Sequence, residues 1–194
     1  MNTVRSTSRS LAALMICLLA VGLWQIGEGS WIYAKVGLAQ WLLQRAWSRS
    51  MAGEIAAKPW PRADTWPIAR LIVPSQEIDQ IVLEGAYGRT LAFGPGHVES
   101  SGEMGKPGTA ILTGHRDTHF RFLQHLKEGD EILLTTQNQQ QHRYHVSSTT
   151  VVDVRTASIQ QDTQENQLAL VTCYPFDAIS FGGPLRYVVM ADVY

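Results

Sequence analysis

Three reactive side chains fall at the ends of apolar runs. Cys173 closes QLALVTC (167–173), Arg186 opens RYVVMADV (186–193), and His115 closes TAILTGH (109–115). If the last two runs pair as an antiparallel hairpin, Cys173 and Arg186 lie at the same open end. Directly opposed residues there have Cβ atoms about 5 Å apart. A guanidinium at that distance favours thiolate over thiol, and it can donate to an oxygen that becomes negative during acyl transfer. His115, directly after Gly114, supplies a proton-transfer group at another strand end. Nucleophile, acid–base group and oxyanion donor together make a cysteine acyl-transfer site.

Each residue also has a plainer reading. A lone cysteine is usually a small buried hydrophobe, five other histidines stand at positions 97, 119, 125, 142 and 145, and an arginine on a terminal strand is ordinarily solvated. His115 and His119 have the i, i+4 spacing of a shared cation, with Cys173 as the one further soft ligand. They bracket a strand-to-loop turn rather than a helix, so no metal and no cofactor is expected. The second cysteine, Cys17, lies in an apolar N-terminal run, which leaves Cys173 without a disulfide partner.

The elements that must position these groups read as short strands. IARLIV (68–73), IDQIVLEG (78–85), DEILLTT (130–136) and HRYHVSSTTVV (142–152) join the three runs above. They are rich in β-branched, aromatic and leucine residues and are separated by turn chemistry such as Gly-Lys-Pro-Gly at 105–108 and Gly-Gly-Pro at 182–184. QNQQQ (137–141) reads as a hairpin tip, and helical spacing occurs only around Thr90–Phe93 and Phe120–Leu126. Many short strands in 127 residues predict a barrel or sandwich. Alternation puts Ala169, Val171 and Cys173 on one face and Leu168, Leu170 and Thr172 on the other.

Upstream, KPWPRADTWP (58–67) has three prolines in ten residues and reads as a spacer. The resulting division is a membrane segment over 1–30, a juxtamembrane helix and linker over 31–67, and the β domain over 68–194. LAALMICLLAVGLWQI (11–26) is uncharged, follows Arg5 and Arg9, and precedes Glu28. It predicts a membrane helix with the arginines inside and everything after about residue 30 exported. A cleaved signal peptide ending near Ala20-Val21-Gly22 is the competing reading. In residues 31–50, Trp31, Ala34, Leu38, Trp41 and Leu42 mark one helical face with basic neighbours. That face suits either an anionic membrane surface or packing on the domain. Glycines 22, 27 and 29 predict a break between the two helical segments. With 16 basic and 17 acidic residues, the net charge of −1 gives no basic face for nucleic acid.

TGHRDTHF, then LVTCYPF, then RYVV resembles the sortases, the cysteine transpeptidases of bacterial cell surfaces. Their pattern is a Gly-His-Arg-Asp-like segment, a Thr-Leu-x-Thr-Cys strand and an arginine at the start of the next strand. Here the strand reads Ala169-Leu170-Val171-Thr172-Cys173, departing only at Ala169. LAFGPGHVESSGEMGKPGTAILTGHRDTHF extends the likeness across 68–194, and the whole most resembles the sortases of Gram-negative proteobacteria. The resemblance implies a closed antiparallel or mixed barrel of about eight strands with short helices, behind a single-pass helix in the cytoplasmic membrane. It implies Cys173 as nucleophile, His115 as acid and base, and Arg186 as oxyanion donor, with Thr172, Tyr174, Pro175 and Phe176 at the substrate. Partners would be a secreted protein with a C-terminal signal like Leu-Pro-x-Thr-Gly, an amine acceptor in the envelope, and membrane lipid around the N-terminal helix. The alternatives are a cysteine peptidase that ends in water and a non-catalytic envelope-binding module.

Overall fold

The computed structural model describes residues 2–161, 163–178 and 182–194. Helix α1 runs unbroken over Asn2–Met51. The expected break at Gly22, Gly27 and Gly29 is absent: a lone glycine costs about 1 kcal/mol of helix propensity, too little to interrupt a helix this long. The chain divides into two compact units between Trp41 and Leu42. In the first, α1 exposes Ile16, Leu19, Leu23, Trp24 and Ile26 along its length. By length and composition, Met15–Met51 contains a window able to cross a membrane, with mean hydropathy 1.4 and none of that window buried. In the second unit, the last turns of α1 bury Leu43 and Trp47 against Ile81 and Leu83. On the face expected for this region Trp31 and Trp41 are exposed, while Trp47, not one of its residues, is buried.

Eight strands close a barrel in the order β1-β2-β3-β4-β7-β8-β6-β5. They are β1 (Pro67–Val73), β2 (Ile78–Glu84), β3 (Gly96–His97), β4 (Gly108–Thr113), β5 (Glu131–Thr136), β6 (Gln141–Asp153), β7 (Asn166–Cys173) and β8 (Leu185–Val193). Seven coincide with the apolar runs; the two-residue β3 lies in a stretch too short and glycine-rich to show alternation. The two helical segments appear as the short helix α2 (Gly88–Leu91) and a 3-10 turn over Arg121–His125. The β5–β6 hairpin turns through Gln139 at φ 64°. Along β7 Leu168, Leu170 and Thr172 are buried and Val171 and Cys173 are half-buried, whereas Ala169, on the same face as the latter two, is buried as well. Leu112, Leu134, Leu168, Leu170, Ile132 and Phe120 fill the interior with no exposure, each contributing about 2 kcal/mol by leaving water.

One pairing sets up the site. β4 and β7 run parallel, with Thr113 beside Val171, so both strands end at the same rim. β7 and β8 run antiparallel, with Cys173 directly opposite Arg186. Residues far apart in sequence therefore arrive together.

Candidate active site

Cys173 is the last residue of β7, and its thiol is free and half-buried. His115 follows the end of β4 by two residues. Both line one pocket of about 280 Å³, with Gly182 from the segment leading to β8 beside them. Gly114 is required before the histidine: a Cβ there would meet the Phe120 ring at 2.9 Å. That ring is fully buried, so the glycine lets the His115 turn fold tightly over the core. The turn closes with Thr118 and Phe120 donating their amides to the His115 carbonyl at 3.3 and 3.0 Å.

Arg186 uses Nη1 to donate to the Gly183 and Leu185 carbonyls at 2.7 and 2.9 Å. Among the described residues no carboxylate pairs with it, so the guanidinium keeps donors for a ligand. Arg186 lines a groove of about 540 Å³ on the outer barrel face together with Ile111 and Val171 from β4 and β7, Val152 from β6, Val188 and Met190 from β8, and residues 157–160. That groove is mostly apolar. Sequence reasoning missed it. Its signal was Val151-Val152-Asp153-Val154, where apolar residues occupy both faces of one strand end and so leave a hydrophobic patch outside the barrel.

Thr172, expected to touch substrate, faces the other way. Its side chain is sealed in the barrel, 1% exposed, and Oγ1 donates to the Gly114 carbonyl at 2.7 Å. Strand alternation forbids it from sharing the Cys173 face. The hydrogen bond instead pins the residue before His115 to the residue before Cys173. Tyr174, Pro175 and Phe176 do not wall the apolar groove. They line a separate, more polar cleft of about 570 Å³ with Arg116, Asp117 and Arg121. The Tyr174–Pro175 peptide is cis, and the Tyr174 and Phe176 rings pack around Tyr187 with centroids 6.2 and 5.2 Å from it.

Arg116 locks this arrangement. It is 6% exposed, donates from Nη1 to the Pro175 carbonyl at 2.7 Å and from Nη2 to the Ala178 carbonyl at 2.6 Å, and sets Nε 3.4 Å from Asp117 Oδ1. The residue after the histidine thus grips the turn after the cysteine. His119, at the far end of the same turn, has its pKa lowered, chiefly by burial and further by the nearby His115. Among the described residues no group of three His, Cys, Asp or Glu side chains converges.

A family model described as the sortase domain matches residues 71–194. The chain belongs to the sortase family. Sortase D of Bacillus subtilis is 32% identical over 120 residues, covering 61% of this chain and 60% of that protein. Sortase A of Listeria monocytogenes is 30% identical over 110 residues, 55% of this chain and 49% of that one. The chain thus spans about half to three fifths of these relatives' length. Among solved structures, sortase A from Corynebacterium diphtheriae superposes with a TM-score of 0.61 at 27% identity, covering 69% of this chain and 63% of that chain. A Clostridium perfringens sortase D5 transpeptidase shares the fold, with TM-score 0.64 at 22% identity over 81% of this chain and 99% of that one. The closed mixed barrel of this sortase is therefore the barrel of its family.

Proposed function

We propose that this sortase is a membrane-anchored cysteine transpeptidase that cleaves a C-terminal sorting signal and passes the acyl group to an amine. One observation carries the reading: Cys173 opposes Arg186 across β7 and β8, and it shares a pocket with His115 from the parallel neighbour β4. The Cys173 thiolate attacks the threonine carbonyl of a segment like Leu-Pro-x-Thr-Gly lying in the apolar groove. Arg186, which lines that groove, donates to the oxygen as it becomes negative. His115 protonates the departing glycine amine, the C–N bond breaks, and a thioester on Cys173 remains. An incoming amine then gives a proton to His115, forms the new amide and releases the Cys173 thiolate. The apolar stretch of α1 fits a single-pass anchor with Arg5 and Arg9 in the cytoplasm and the barrel outside it.

Intact-mass measurement on the full chain in detergent tests this. Incubation with a Leu-Pro-Glu-Thr-Gly peptide should add the mass of the acyl fragment to the wild type and not to Cys173→Ala. A Cys173→Ala variant that still releases the glycine fragment sinks the reading.

A further inference from the structure

The pocket over Cys173 and His115 and the polar cleft beyond it share two lining residues, Arg116 and Asp117. The apolar groove shares none of its lining with that cleft. Acyl transfer has two substrates, and the first remains covalently attached while the second arrives. A peptide acyl chain held in the groove blocks that approach, so the second substrate needs another way in. The cleft adjoins the pocket that holds Cys173 and His115 through Arg116 and Asp117, which line both.

Its charges indicate what enters. Arg121 and Asp177 both line the cleft, yet among the described residues neither side chain makes an ion pair or hydrogen bond. Among the described residues Asp117 meets only the Nε of Arg116, at 3.4 Å, and its side chain is 55% exposed, leaving its second oxygen for a ligand. Opposite charges that line one cavity without neutralising each other suit a dipolar guest. The rings of Tyr174 and Phe176 supply an apolar wall for that guest's carbon skeleton.

We propose that the cleft receives the acyl acceptor, and that the acceptor is an amino-acid end, with ammonium and carboxylate close together. This rests on the transpeptidase reading and names its second substrate. The ammonium is drawn to Asp117 at the junction, and the carboxylate to Arg121 farther out. The ammonium loses one proton to solvent, and the free amine attacks the thioester carbonyl. As the C–N bond forms, a second proton passes to His115. The C–S bond then breaks, its electrons leave on Cys173, and one amide is made with no net oxidation or reduction.

The test uses full-length protein in detergent, loaded with the Leu-Pro-Glu-Thr-Gly peptide, and offers glycine or glycinamide as acceptor over a range of concentrations. Rates are corrected for the free-amine fraction of each. Wild type should show a KM for glycine about tenfold below that for glycinamide, a difference of about 1.4 kcal/mol. Arg121→Gln should erase the preference by raising the glycine KM alone, and Asp117→Asn should raise both. Equal wild-type KM values, or a preference that survives Arg121→Gln, overturn the acceptor cleft while leaving the thioester chemistry standing. Failure to form the thioester, or its resolution by water alone, removes both readings.

Discussion

Arg116 and Arg186 stand beside the two reactive side chains, one following His115 in sequence and one facing Cys173 across a strand pair. They carry the same group and are handled in opposite ways. Arg116 is sealed, and both its Nη atoms hold backbone carbonyls of the turn after the cysteine. Arg186 is half-buried, ties one Nη to carbonyls on its own strand end, and meets no carboxylate among the described residues. A guanidinium whose donors are used up within the fold can only hold geometry. One that keeps donors pointing at a groove can stabilise a charge that appears during reaction. On the proposed reading, the first holds the structure and the second takes part in the chemistry.

Substitutions can break that contrast, beginning with Arg186. Arg186→Ala should lower kcat/KM for peptide cleavage by about 10²- to 10³-fold, the usual loss for one oxyanion donor, or about 3–4 kcal/mol. Its Tm should move by less than about 2 °C, because half-exposed arginine contacts contribute little to folding. A large Tm loss with cleavage intact would reverse the assignment. Arg116→Ala should do the opposite, costing roughly 3 kcal/mol of stability for two charge-assisted hydrogen bonds, or roughly 6–12 °C in Tm. An unchanged melting curve would show that the turn after Cys173 holds itself.

Thr172→Val keeps volume and removes the hydroxyl that bonds Gly114. A buried carbonyl left without its donor costs about 1–3 kcal/mol, and the loss should appear in thermal unfolding, with cleavage falling only a few-fold. A normal Tm with strongly reduced cleavage would instead give the hydroxyl a direct chemical role. The smallest effect concerns acid. Burial lowers the pKa of His119 below its usual 6.5, so the folded state prefers the neutral ring. The unfolded chain therefore binds more protons as pH falls through 6.5, and stability declines until the folded pKa is passed. The ring is partly open to solvent, so the decline is modest. His119→Asn should flatten the Tm profile between about pH 7 and 5; an identical slope in the variant would place the titration elsewhere.

Much of this is legible in the sequence. Period-two alternation marked Leu168, Leu170 and Thr172 as one face of β7, and that face fills the core. Pairing the last two runs put Cys173 and Arg186 at the same open end, and the ladder sets them directly opposite. Local composition fails where function depends on space between elements. The apolar groove draws on four strands, each giving one to three residues, and on the loop between β6 and β7, so no single segment announces it. From the sequence, Arg116 reads no further than a residue that, with Asp117, could orient the histidine loop. Its role depends on two carbonyls about sixty positions away, at Pro175 and Ala178, which no periodicity encodes. The glycines in α1 misled for a further reason, since propensity sums over a whole helix rather than acting at single positions.

The parallel pairing of β4 and β7 also says which changes the chain can absorb over evolutionary time. The fifty-odd residues between these strands can grow or shrink in their loops without moving His115 relative to Cys173, because the ladder from Gly108–Asn166 to Thr113–Val171 sets that separation. Within β7 no such freedom exists. Losing one residue from its middle while its start stays paired would turn the thiol into the barrel and present its neighbour to the groove. Families built on this frame should therefore differ widely in loop length and hold the count of residues in these two strands fixed.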